Sequence, residues 1–189
     1  MIALNIIRKL PKLGLIGLFV VLISGCSSAL NGERYRNIEP ALDIINFFTG
    51  ETKAWGIVQD YSGNMTQQFT VDLIGTVANQ NGSRVLTLDE TFHYQVGDGM
   101  KKRIWTLTQT PDGKIIGNAG DILGSATGTT YGNAFQFVYE MDLPVDDSTF
   151  RVTFDDWIWA FDEHTIINRS YIKKWGITVA EVTIFMQKQ

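Results

Sequence analysis

After residue 50 the chain alternates apolar and polar positions with a period of two. In 69–77, Phe69, Val71 and Leu73 fall on one face, with Thr70, Asp72 and Thr76 on the other. In 85–94, Leu86, Leu88, Phe92 and Tyr94 oppose Thr87, Asp89, Thr91 and His93. In 178–186, Ala180, Val182, Ile184 and Met186 share a face. A period of two is that of a half-buried strand, and the abundant Thr, Val, Ile and aromatic residues suit a pleated surface. Turn signals at Ser62-Gly63-Asn64, Asn79 to Gly82, Gly97-Asp98-Gly99, Pro111-Asp112-Gly113 and Asp146-Asp147-Ser148 leave room for strands of about ten residues. The pattern predicts about nine or ten strands with no interleaved helices. That is a mainly β fold: a single antiparallel up-and-down barrel, or a strongly bent sandwich. Five glycines in 117–134 lack the Lys and helix start of a phosphate loop and read as bends in a curved sheet.

One helix is predicted, over Pro40 to Phe48. Pro40 suits a first turn, Gly50 suits an exit, and Leu42, Ile44, Ile45, Phe47 and Phe48 make one apolar face.

The first residues follow another logic. Arg8, Lys9 and Lys12 precede an apolar run from Leu13 to Ile23, then Ser24, Gly25 and Cys26. Basic start, short apolar core and small residues before a cut are the parts of a secretory signal. The run falls short of the roughly 20 residues that span a bilayer. Ile23-Ser24-Gly25-Cys26 resembles the lipobox of bacterial lipoproteins, in which the cysteine thiol is alkylated by diacylglycerol before cleavage. The resemblance implies a signal peptide over 1–25 and acyl chains on Cys26 that anchor the protein to a membrane, since two chains already suffice. Ser27, where Asp would retain a lipoprotein in the inner membrane, implies the periplasmic face of the outer membrane. Residues 26–38 are polar and aperiodic and read as a tether, leaving 39–189 as the barrel domain.

Charge narrows the partners. The whole chain carries 16 − 20 = −4, and loss of the three basic residues of 1–25 leaves 13 − 20 = −7. Such a domain is repelled by nucleic acid and by anionic lipid surfaces. With Cys26 the only cysteine, no disulfide forms, so 11 Phe, 5 Trp and 6 Tyr must supply an ordinary core.

Two acids stand on apolar faces: Glu90 among Leu86, Leu88, Phe92 and Tyr94, and Asp156 after Phe150, Val152 and Phe154. An unpaired buried charge is costly, so each needs a reason. Arg169, between Ile167 and Tyr171, is the basic partner that alternation suggests. Trp157 and Trp159, with Phe161, share a face and are candidates to line a pocket. Read together, Glu90, Asp156, Trp157, Trp159 and Arg169 form a ligand site: an apolar cavity with a few orienting polar groups. The competing readings are a structural ion pair, acids at strand ends facing solvent, and aromatics that are plain core.

Catalysis has little support. Asp155 and Asp156 are strand neighbours and point to opposite faces, so they cannot act as a paired glycosidase site. Asp162, Glu163 and His164 read as a solvated turn rather than a metal site. No nucleophile elbow, dinucleotide fingerprint or zinc spacing is present, so no catalytic residue, cofactor or metal is expected.

The stretches KAWGIVQD, LTLDETF, GNAFQF, FDDWIWAFDE and NRSYIKKWGI resemble a Gram-negative lipoprotein family catalogued as domain of unknown function 3833, from about Pro40 to Lys188. The resemblance implies no activity. It implies a lipocalin-like size and strand number, and encoding near fatty-acid-modifying enzymes points to lipids. The lipocalin Gly-x-Trp is not matched: Trp55 follows Gly50 at the wrong spacing, although Arg169 suits the closing arginine. The sequence therefore predicts a lipid-anchored barrel that binds an apolar or amphiphilic molecule such as a fatty acid. The alternatives are an envelope interaction protein without a small ligand and, last, a lipid- or glycan-acting enzyme.

Overall fold

The computed structural model describes residues 30–145 and 148–189. The expected signal peptide, its Ile23, Ser24 and Gly25, and the acylated Cys26 lie outside the described residues.

Ten antiparallel strands form a closed up-and-down barrel. They are β1 (Gly50–Asp60), β2 (Met65–Gln80), β3 (Ser83–Val96), β4 (Lys102–Gln109), β5 (Ile115–Ala119), β6 (Ile122–Tyr131), β7 (Ala134–Val145), β8 (Ser148–Ala160), β9 (Thr165–Lys174) and β10 (Ile177–Lys188). Each pairs with its neighbours in sequence, and β10 closes on β1 from Thr52 opposite Lys188 to Asp60 opposite Ala180. Every strand edge is thus satisfied within 50–189, and Asn31–Gln189 is one compact unit with its own core. That unit carries what a domain needs to fold alone.

Alternation places the side chains as expected. Phe69, Val71 and Leu73 of β2, Leu86 and Leu88 of β3, and Met186 of β10 are buried inside, while Asp72, Thr76 and Thr87 lie outside. Apolar-in and polar-out is the reverse of the lipid-facing pattern of membrane-spanning barrels.

The interior is rich in rings, and glycines make room for them. A Cβ on Gly56 would fall 2.4 Å from Phe69, one on Gly117 2.4 Å from Phe137, and one on Gly128 2.3 Å from Phe135. Two of the glycines expected to mark bends thus serve packing instead. Irregularity does occur between them, where the β6–β7 register shifts between Leu123 and Thr127.

A short helix, α1 (Ile44–Phe47), plugs the end of the barrel where β1 begins. It is shorter than the predicted Pro40–Phe48. Asp43 is its N-cap, accepting a 3.0 Å bond from the Asn46 amide, so the residues before it are not helical. Those residues are docked instead, with the Leu42 amide donating to the Gly132 carbonyl at 2.8 Å. Arg84 holds α1 from one side, donating to Asp43 at 2.9 Å and to Asn46 at 2.5 Å. Lys188 holds it from the other, donating to the carbonyls of Asn46, Phe47 and Thr49. The Phe48 carbonyl lies over Gly75, where any Cβ would stand 1.7 Å from the oxygen.

Residues 31–38, within the stretch read as tether, contain a 3₁₀ turn (Gly32–Tyr35) against the same end. Gly32 packs on the Tyr131 ring, and Tyr35 lies 6.0 Å from both Trp157 and Trp159.

Candidate functional site

The barrel is not packed solid. A cavity of about 1050 Å³ runs from α1, where Ile44 and Phe48 form its floor, to the turns at the other end. There Gln67, Asp98, Leu143, Phe150 and Lys174 border its mouth. The walls are mostly aliphatic and aromatic: Val58, Phe92, Val182 and Ile184 face the space, with Trp105, Phe137, Tyr139 and Phe154. Tyr139 stacks on Phe154 at 5.0 Å and meets Trp105 edge-on at 5.3 Å.

Polar groups converge part-way along this apolar tube. Glu90 on β3 lies directly across from Arg103 on β4. Both point inward by the parity that puts Leu88 and Trp105 inside. Arg103 spans the gap to Asp121, in the turn between β5 and β6, donating to Oδ2 from Nε at 3.1 Å and from Nη2 at 2.5 Å. Its guanidinium also faces the Trp105 ring at 5.5 Å. From the opposite wall come Tyr139 on β7, Asp156 on β8, and Asn168 and Ser170 on β9. The Ser170 hydroxyl donates to Asn168 Oδ1 at 3.2 Å, and Asn168 Nδ2 donates to the Trp157 carbonyl.

The acids are held in unusual states. Burial drives the Glu90 carboxyl up to about 7, against the pull of Arg103 and with help from the charges of Asp121 and Asp156. Burial drives Asp156 up to about 6, opposed by the Ser170 hydroxyl, Arg103 and Tyr139. Asp156 Oδ1 is buried with no hydrogen-bond partner among the described residues. Burial also raises the Tyr139 phenol well above its ordinary range. Burial works against the Arg103 charge, but Tyr139, Glu90 and Asp121 outweigh it, and its pKa rises.

Of the five residues expected to bind a ligand, Glu90 and Asp156 line the cavity. Trp157 and Trp159 do not. β8 pairs with β7 and with β9 without any register shift, so Asp156 facing in requires Trp157 and Trp159 to face out. There they stack on each other at 6.1 Å beneath Tyr35 and Tyr131, an outer brace rather than a pocket wall. Arg169 also faces out, paired with Glu181 and lying over the Tyr171 ring. Trp55 is outside too, against Phe185, so no Arg169–Trp55 closure forms. The basic residue at the polar level of the cavity is Arg103. Its signal was the alternation Arg103, Trp105, Leu107 in KRIWTL, the same kind that exposed Glu90.

The two histidines stand apart from the cavity. His93 contacts Asp72 at 2.9 Å on the outside, and His164 lies in an exposed turn. Among the described residues no group of three or more His, Cys, Asp or Glu side chains is placed to hold a metal ion.

Comparison with known proteins adds a family. The family described as Protein of unknown function (DUF3833) matches residues 20–188. No curated protein matches the sequence. Among solved structures, the S-type phycobiliprotein lyase CPES from Guillardia theta is similar with a TM-score of 0.46 at 12% identity. The match covers 85% of this chain and 99% of that one.

Proposed function

This chain belongs to the family described as Protein of unknown function (DUF3833), and for it we propose a barrel that binds an amphiphilic small molecule of the lipid class. Acyl chains on Cys26 tether it to the periplasmic face of the outer membrane. One observation carries the binding reading: the cavity of about 1050 Å³, apolar along its length and polar at one level. Its size matches that of ligand sites, and a few convergent polar groups on apolar walls are how such sites fix orientation. Glu90 and Asp156, kept in the interior at a cost in stability, support it further. The lipobox motif supports the anchor. Catalysis ranks below binding because both histidines lie outside the cavity, which leaves no imidazole as general base there.

The test is native mass spectrometry of residues 27–189 exported to the periplasm without the anchor, followed by extraction of anything bound. A stoichiometric amphiphile is the expected result. An empty barrel that also takes up nothing from an envelope lipid extract overturns the reading.

A further inference from the structure

We infer that the polar level of the cavity is a receptor for a protonated amine, so that the bound molecule is a hydrocarbon-bodied amine rather than a free fatty acid. This rests on the ligand-binding reading above and supplies the head group it lacks.

The argument is one of unpaired charge. Three carboxyls, Glu90, Asp121 and Asp156, meet one guanidinium at this depth. Arg103 is committed: two of its N–H groups go to Asp121 and its face lies on Trp105. The other cavity-lining cation among the described residues, Lys174, is at the mouth, 3.3 Å from the centre of the Phe150 ring. Among the described residues neither Glu90 nor Asp156 is in a salt bridge, and Asp156 Oδ1 has no hydrogen bond. A fatty-acid carboxylate entering this space would bring a further negative charge and no proton to donate. An ammonium would bring the missing charge, and a primary ammonium has three N–H donors for the vacant acceptors. The need for a donor at Asp156 Oδ1 favours an ammonium with N–H groups over a quaternary one. The hydrocarbon walls take the rest of the molecule.

Dodecylamine, dodecanol and dodecanoate test this, competing with the neutral dye N-phenyl-1-naphthylamine for residues 27–189 at about pH 8. All three probes carry the same chain, so differences report the head group. A charge-assisted hydrogen bond in a water-poor site predicts dodecylamine roughly tenfold to a hundredfold tighter than dodecanoate. In the Glu90→Gln, Asp156→Asn double variant the ratio of amine to alcohol affinity falls toward one. Arg169→Gln, on the outer face, keeps the wild-type ratio. Dodecanoate binding as tightly as the amine, or an amine preference that survives the double variant, overturns the inference but leaves the cavity a lipid site. If neither the dye nor any of the three binds, the ligand-binding reading itself fails and takes the inference with it. The wild-type comparison needs no variant, so a folding defect in the double variant cannot mask the answer.

Discussion

Glu90 and Asp156 oppose the fold that holds them. Each has a folded pKa above its unfolded value, about 7 against 4.5 and about 6 against 3.8. Below the unfolded values both states bind the proton, and the acids cost nothing. As pH rises, the unfolded chain ionises first, so stability falls until pH passes the folded values and then levels off. The full penalty approaches about 3 kcal/mol for each group. Glu90→Gln and Asp156→Asn are therefore expected to raise stability by roughly 1–2 kcal/mol at about pH 8, and by almost nothing near pH 3, below both unfolded values. Thermal unfolding at the two pH values checks this, and equal gains at both would show that ionisation is not the cause. Glu90 and Asp156 were legible in the sequence because an acid on an alternating apolar face stands out. Trp157 and Trp159 were misplaced because aromatic bulk suggested a pocket, while strand parity had already put them opposite Asp156. Alternation alone suggests pairing Arg169 with acids that lie on the other side of the sheet, and its partner Glu181 follows only from the β9–β10 register. Packing was the least legible feature: a glycine in a strand shows a missing side chain, not the Phe135 ring that fills its place. Gly128→Ala should cost about 1–3 kcal/mol, read from chemical denaturation, because its Cβ would stand 2.3 Å from that buried ring.

Strands and turns follow local chemistry closely, with one exception that is informative. The β2–β3 turn is Asn81-Gly82, with φ of 51° and 81°, the residues a two-residue hairpin with both centres left-handed prefers. The β9–β10 turn has the same geometry, with φ of 52° and 79°, but its residues are Trp175 and Gly176. An indole in the left-handed region is strained, and Trp175 is 90% exposed, so no burial repays it. Its one contact of note is with Lys174, whose ammonium lies 4.7 Å from the ring centre. Trp175→Asn should stabilise the barrel by about 0.5–1 kcal/mol, a rise of roughly 1–4 °C in Tm. A fall in Tm would mean that the Lys174 contact outweighs the backbone strain. The helix shows the opposite limit of local reading. Its apolar residues were all recognised, yet only Ile44–Phe47 is helical, because Asp43 caps it late and Leu42 docks on Gly132. Those are tertiary contacts, invisible to periodicity.

At the scale of the whole molecule, the closed barrel turns the apolar faces of its strands inward, and the chain carries a net negative charge. Residues 26–189 carry 13 − 20 = −7, which disfavours adsorption to an anionic bilayer. On the proposed anchoring, attachment to the membrane then falls to the acyl chains of Cys26. That proposal predicts that replacing residues 1–26 with a cleavable signal that lacks the cysteine releases the protein into the soluble periplasmic fraction, with the parent chain expected in the outer-membrane fraction. The result to watch for is partial retention. Tyr61 is 85% exposed and Ile177 68%, and with Trp175 they stand on neighbouring turns, since β1 pairs with β10. Aromatic and aliphatic tips of this kind suit a membrane interface or a partner protein. If the anchorless protein still sediments with membranes, and Trp175→Asn frees it, the mouth end is a second attachment point. The interaction reading then gains ground that the cavity alone does not give it. Clean release in both proteins leaves the mouth open to the periplasm, as a carrier that loads and unloads its amphiphile there requires.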